Sequence, residues 1–392
     1  MSINQRKICV VITNRSSYGR VKTVLHGIKD HARLDLQLIL GAAMASDDTV
    51  KIAEADGFMP VRILNYLANG GDLQSQVQTT AQGMTALSKA FQELQPDFVM
   101  TIGDRHETMA TAVTAAYLNI PLIHLQGGEV SGNIDDRVRH AVTKLADIHF
   151  ACSAISGKRL IRMGEAEDRV FDTGCPSIDV TAMAEKSISN EIMRPYVDDA
   201  PHKIDFDKPY VLVLQHPVTT SYGDSRHQME ETLKSLLTLK DHQKIIMYSN
   251  VDAGSDEFAE AIRDFKAAGH DGSQGFYYYR HFPPEIFIRL MANAACCIGN
   301  SSAFLREASF MGVPAVIIGD RQVGREKNDN TVFVDYNAAE ISDEIKAQIN
   351  HGPYKPDERY GVGRAGQSIA DIIAQLSDIT PNKPTLYPDM DN

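Results

Sequence analysis

The sequence predicts an α/β protein made of two doubly wound, Rossmann-like parallel sheets. Three observations carry that expectation. At 392 residues the chain is too long for one ordinary core. Short apolar runs of β-forming residues alternate with amphipathic helical stretches, the pattern of a parallel sheet covered on both faces. The alternation breaks once, over Ser187–Lys208, and then starts again.

In the first half, strands are expected at Lys7–Thr13, Asp35–Ala42, Asp97–Asp104, Pro121–Gly127, Ile148–Ser153 and Arg169–Gly174. Helices fall between them at Arg20–Asp30, Asp72–Leu94, His106–Leu118 and Asp135–Ala146, with Pro96 and Pro121 marking helix-to-strand loops. Ser187–Lys208 is polar, holds Pro195 and Pro201 and is followed by Pro209, so one domain gives way to the next there. The second half repeats the pattern with strands at Tyr210–Gln215, Lys244–Ser249, Gly275–Tyr279, Ala295–Gly299, Pro314–Gly319 and Thr331–Val334. Its helices are expected at Arg226–Thr238, Asp256–Ala268, Pro284–Ala294 and Ala303–Met311. A last helix, Arg364–Leu376, is expected to return to the first domain, ahead of a polar tail from Thr380 that reads as disordered. The domains are thus 1–186, completed by 364–378, and 205–363.

Composition narrows the function. With 43% hydrophobic and 23% charged residues the chain is an ordinary globular protein. It has no signal-peptide pattern and no apolar stretch of about 18 residues, so a cytoplasmic protein without membrane association is expected. Five cysteines without a CxxC spacing indicate neither a disulfide framework nor a zinc site. A formal net charge of -12 argues against non-specific nucleic-acid binding, yet leaves room for a local basic pocket.

Ligands of open α/β sheets bind beyond the carboxyl ends of the strands, so the residues there carry the functional signal. They are Asn14–Ser17, GDRHE (Gly103–Glu107) and QGGEVSGNIDD (Gln126–Asp136) in the first half. In the second they are QHPVTT (Gln215–Thr220), GNSS (Gly299–Ser302) and GDRQVGRE (Gly319–Glu326). GNSS leads into the expected helix at Ala303, a start that points N–H groups at an anion, with Ser301 and Ser302 as added donors. The bland alternative is that these serines only cap the helix. Arg15, Arg105 and Arg321 can neutralise a diphosphate. The chain has no P-loop and no GxGxxG after its first strand, so ATP hydrolysis and nicotinamide chemistry lose support.

Asp104 and Glu129, with Asp136 nearby, suit paired acid and base roles in one cleft, although an aspartate at 135 or 136 can also serve the following helix as a cap. His216, between a strand end and Pro217, can move a proton near neutral pH. His106, His124 and His140 fit no metal-ligand pattern, and no metal or cofactor is expected. Arg280 and His281 close the Tyr277–Tyr279 strand, near enough in order to meet a base or ribose.

Taken together, GDRHE, HLQGGEVSGNIDDRVRHAVTKLADIH, GCPSID, QHPVTT, GNSSAFLRE and GDRQVGRE resemble the hydrolysing UDP-N-acetylglucosamine 2-epimerases, over most of the chain. The resemblance implies a glycosyltransferase-B-type fold with the active site in the interdomain cleft, and a homodimer or homotetramer. It also implies release of UDP and N-acetylmannosamine as the product, feeding sialic acid synthesis. By matching position it assigns Asp104, Glu129, Asp136 and His216 to catalysis. Arg15, Ser301, Ser302, Glu307 and Arg321 fall to the nucleotide, Glu307 at the ribose hydroxyls, with Arg105, Arg139 and His281 in support. Non-hydrolysing relatives carry HVEAGLRT where this chain has HLQGGEVSG, which favours hydrolysis. The chain departs from the family's RADY motif with NRSSYGR, Ser17 standing in the acidic place. That leaves UDP-2,4-diacetamido-2,4,6-trideoxyglucose as an alternative substrate. A UDP-sugar glycosyltransferase of the same architecture and a nucleotide-sugar sensor without turnover are the readings from other classes.

Overall fold

A computed structural model describes residues 5–70, 72–131, 134–197, 202–218, 223–248, 255–280, 282–377 and 379. The chain divides into two compact units. One comprises Met1–Glu129, Asp135–Ala182 and Arg359–Asn392, the other Val130–Ile134 and Met183–Glu358.

The first unit runs β1 (Arg6–Ile12), α1 (Arg15–Asp30), β2 (Leu34–Gly41), α2 (Asp47–Ala55), β3 (Arg62–Leu64), α3 (Leu73–Leu94), β4 (Phe98–Ile102) and α4 (His106–Tyr117). It continues with β5 (Leu122–Leu125), α5 (Ile134–Leu145), β6 (Ile148–Ala151), α6 (Ala154–Arg162), β7 (Val170–Asp172) and α7 (Pro176–Met183). The second runs α8 (Asn190–Met193), β8 (Tyr210–Leu214), α9 (Ser225–Ser235), β9 (Gln243–Met247), α10 (Ser255–Ala267), β10 (Phe276–Tyr279) and α11 (Pro284–Ala292). It ends with β11 (Cys296–Gly299), α12 (Glu307–Met311), β12 (Ala315–Ile318), β13 (Thr331–Val334) and α13 (Ala338–His351), after which α14 (Ala365–Gln375) belongs to the first unit.

Both sheets are parallel, in the orders β3-β2-β1-β4-β5-β6-β7 and β10-β9-β8-β11-β12-β13. Alternate residues of each strand enter different cores. In β1, Ile8, Val10 and Ile12 join the cluster under α1 and α14, whereas Cys9 and Val11 join that under α3 and α4. Burial on both faces is why these strands read as unbroken apolar runs. The strand order reverses between β1 and β4 in one sheet and between β8 and β11 in the other. Each reversal opens a crevice at the carboxyl ends, the usual ligand position in such sheets.

Several elements differ from expectation. The helix expected from Arg20 begins at Arg15, because the Asn14 side chain caps it by accepting the Ser17 N–H at 2.8 Å. Arg15 therefore lies in the first helical turn and is exposed. The Ala303–Met311 helix is replaced by a 3-10 turn at Ser302–Phe304 and the five-residue α12. Phe304, Leu305 and Arg306 are each buried to 1% exposure or less. Three successive inward residues cannot all lie on one face of an α-helix. The polar stretch Ser187–Lys208 is built into the second unit, whose core takes Met193, Ile204 and Phe206. The tail from Thr380 lies outside the described residues.

Helix α14 shows how the first unit closes on itself. Gly27 of α1 and Gly366 of α14 meet so closely that a Cβ on Gly27 would stand 2.8 Å from the Gly366 carbonyl. Asp179 caps the start of α14, its carboxylate accepting the N–H groups of Ala365 and Gly366 at 2.8 and 2.6 Å. At the other end Arg6 donates to the carbonyls of Ile373 and Leu376, both at 2.8 Å. Anion at the N-terminus and cation at the C-terminus both complement the helix dipole. Among the described residues no helix is long and apolar enough to cross a membrane.

Candidate functional site

In the first unit, parallel pairing of β4 with β5 matches Ile102 with Leu125, so the loops beginning at Gly103 and Gln126 start side by side. Gly103, Gln126 and Gly128 all take positive φ, which turns both chains sharply at the sheet edge. Gly128 admits no side chain, since a Cβ there would lie 2.2 Å from the Ser156 carbonyl oxygen. Its own carbonyl accepts from Arg159. The turn delivers Glu129, only 4% exposed.

The centre of this cluster is Arg139 on α5, whose side chain is fully buried. Its guanidinium donates to the carboxylates of Asp104 and Asp136 and, at 3.0 Å, to the main-chain carbonyl of Glu129. Asp136 and Arg139 are one helical turn apart, which sets them on the same face. Burial by itself would lower the guanidinium pKa, but the carboxylates of Asp104, Glu129 and Asp136 outweigh it and hold it above the ordinary value. Arg139 is thus a permanent buried cation that fixes three acidic residues from three separate chain segments.

Other residues named from the sequence take more varied places. Arg105 is engaged by the buried Glu107, its Nε 3.2 Å from the carboxylate, and His106 lies 3.4 Å from the same group. His124 is structural. It is fully buried, with Nε2 2.9 Å from the Gly103 carbonyl and Nδ1 3.2 Å from the Thr143 hydroxyl. Burial drives its pKa down to about 3, against the raising effect of the Gly103 carbonyl, so the ring is neutral at physiological pH. Sequence reasoning passed over Gln126, whose Oε1 accepts from Arg20 and whose Nε2 reaches the Cys175 sulfur, both at 3.5 Å.

In the second unit, β8 and β11 pair with Gly299 opposite Leu214. Gly299 has φ 130°, and a Cβ there would lie 2.2 Å from the Leu214 carbonyl. This close approach sets Gln215 and His216 beside Asn300. Asn300 is completely buried, and its side chain holds the His216 peptide from both sides, accepting its N–H at 2.7 Å and donating to its carbonyl at 2.8 Å. The Asn300 carbonyl in turn accepts from Arg321 at 3.1 Å and from Gln322 at 2.9 Å. Ser301 is buried and its hydroxyl accepts the Ala303 N–H at 3.4 Å, so it caps the 3-10 turn as the bland reading allowed. Ser302 opens that turn, half-buried. The turn and the short α12 provide a weaker array of N–H groups than the expected helix.

Glu307 is the first residue of α12, and its Oε2 is buried without a hydrogen-bond partner among the described residues. A buried, unsatisfied carboxylate oxygen costs stability unless a ligand supplies donors. Asn300, Gln322 and Gln215 are 0%, 1% and 2% exposed. They stand within GNSS, GDRQVGRE and QHPVTT, but beside the charged and hydroxyl residues of those runs they were given no role. His281, Thr219, Thr220, Gly132 and Asn133 lie outside the described residues. No group of three or more metal-ligating side chains occurs among the described residues.

These features define the class first: an α/β protein of two Rossmann-like domains, of the glycosyltransferase-B type. The solved Neisseria meningitidis UDP-GlcNAc 2-epimerase bound to UDP-GlcNAc shares this fold, with TM-score 0.79 over 94% of this chain and 100% of that one, at 16% identity. The family follows from sequence, since the UDP-N-acetylglucosamine 2-epimerase model matches residues 26–374. The chain is an enzyme of the UDP-N-acetylglucosamine 2-epimerase family. It is 30% identical to a Legionella pneumophila protein named UDP-N,N'-diacetylbacillosamine 2-epimerase (hydrolyzing), over 95% of this chain and 96% of that one. It is 28% identical to a Neisseria meningitidis protein named UDP-N-acetylglucosamine 2-epimerase, over 94% and 95%.

Proposed function

We propose that the chain is a hydrolysing 2-epimerase of a UDP-linked 2-acetamido sugar, converting UDP-N-acetylglucosamine and water to N-acetylmannosamine and UDP. The observation that carries this reading is the carboxylate cluster around buried Arg139. A transferase that only passes a sugar to an acceptor has no need of several fixed carboxylates at the sugar.

The chemistry runs in two stages. The C1–O bond to UDP breaks as the C2 proton is removed, giving a 2-acetamidoglucal. Water then adds to C1 while C2 is protonated on the opposite face. Inversion at C2 needs a base on one face and an acid on the other, roles suited to Asp104 and Glu129, with Asp136 and Arg139 holding them in place. His216 assists the departing oxygen, and Arg15, Ser301, Ser302 and Arg321 stabilise the diphosphate charge. Glu307 accepts from the ribose hydroxyls, which supplies donors for its buried Oε2. Arg105 and His281 support the substrate.

The diacetamido-trideoxy sugar is the second reading. It is favoured by the name of the Legionella relative and by Ser17, a buried hydroxyl residue in the family's acidic place. That sugar carries hydrogen in place of the 6-hydroxyl and an acetamido group in place of the 4-hydroxyl, differences that a site built to pair those hydroxyls can discriminate. The purified chain, given each nucleotide sugar without any acceptor, should release UDP and a free manno-configured sugar, followed by NMR. Release only when an acceptor is present would make it a transferase, and binding without release would make it a sensor.

A further inference from the structure

We propose that Asn300 is a positioning residue, which sets the His216 peptide for leaving-group assistance through its side chain and anchors Arg321 through its main chain. The inference rests on the role given to His216 above. One buried amide satisfies both the N–H and the carbonyl of a single residue on the neighbouring loop, at 2.7 and 2.8 Å. The peptide of His216 can then neither rotate nor slide along β8 without breaking a buried bond, and an unmade buried bond is penalised in full.

The same residue serves a second loop by different atoms. Its carbonyl oxygen receives Arg321 at 3.1 Å and Gln322 at 2.9 Å. Three loops that follow β8, β11 and β12 are thereby tied at one side chain and one carbonyl. An Asn300 substitution cuts only the first of these ties, because the carbonyl stays. Positioning of His216 and anchoring of Arg321 are therefore separable by experiment.

The test is a double-mutant cycle of Asn300→Ala and His216→Ala, read as kcat for UDP release and as UDP affinity by calorimetry. Asn300→Ala is expected to lower kcat by about 100-fold, the scale of a misplaced catalytic group. UDP affinity should hold, and the double variant should be no slower than His216→Ala alone, since a positioning residue has nothing left to position. If Asn300→Ala does not fold, Asn300→Asp takes its place in the cycle, keeping the volume and the acceptor for the His216 N–H but losing the donor. Losses that multiply in the double variant, or UDP affinity that falls in step with kcat, would overturn the proposal. Should the unsubstituted chain release no UDP from either sugar, the functional reading fails on its own, and amide hydrogen exchange judges the clamp. Faster exchange at His216 in the variant with β11 amides unchanged upholds it; equal exchange refutes it.

Discussion

Arg139→Met is expected to abolish turnover and to lower the melting temperature by about 6–12 °C. The stability loss follows from what stays behind. The methionine fills much of the space but leaves Asp104 and Asp136, whose side chains are 20% and 16% exposed, without their shared cation. Removing one partner of a buried ion pair costs about 3–5 kcal/mol, and the lower end suits carboxylates that keep some water. For a unit of this size each kcal/mol moves the midpoint by about 2–4 °C. Because the folded pKa of Arg139 is raised, the guanidinium side of this contribution is lost only in strong alkali, whereas acid that protonates the partner carboxylates removes it from the other side. The Arg139→Lys variant separates the two effects. It restores a cation, so most of the stability should return, but a single ammonium cannot reproduce the fork that reaches two carboxylates and a carbonyl. Calorimetry and UDP-release assays on both variants check this. A methionine variant with unchanged melting and turnover would mean the cluster is neither structural nor catalytic.

Asp104→Asn is expected to lower kcat for UDP release by about 1000-fold, within the range lost when a proton-transferring group is removed. The amide keeps the shape and can still accept from Arg139, and Asp136 still pairs with that cation, so the fold should survive with a smaller stability loss than in Arg139→Met. What it loses is the ability to take and return a proton. Nucleotide binding, which the reading gives chiefly to Ser301, Ser302, Glu307 and Arg321, should be preserved. Steady-state kinetics with UDP calorimetry provides the check. A variant within tenfold of the parent would remove Asp104 from the proton-transfer steps.

The sheets were legible in the sequence because each central strand is buried on both faces and reads as a continuous apolar run. Elements whose buried faces are polar or small were not. Helix α6 packs Ser156, Gly157 and Leu160 inward, a face of mostly small and polar residues over only nine positions, whereas α13 carries Ile341, Ile345 and Ile349 at helical spacing and could have been read from that period. Strand β3 is three residues at a sheet edge, too short to signal itself. The same division holds at the site. Charged residues in recognisable motifs, such as Asp104, Glu129 and Arg321, could be named in advance. Neutral amides lay in the same runs, Gln126 in QGGEVSGNIDD and Asn300 in GNSS, but nothing there assigned them a role. Gln126 and Asn300 act by bridging segments far apart in sequence, and nothing in local composition announces such a bridge. Arg139 lay between these cases, since its number was available from the motif but its burial against two aspartates was not.

The central claim is that a first-unit carboxylate removes the C2 proton as UDP leaves. It is tested most directly by running the reaction in deuterated water with whichever nucleotide sugar turns over, and reading the product by NMR. The account predicts one UDP released per free manno-configured sugar, with deuterium at C2. Product sugar that keeps its original C2 hydrogen would contradict it.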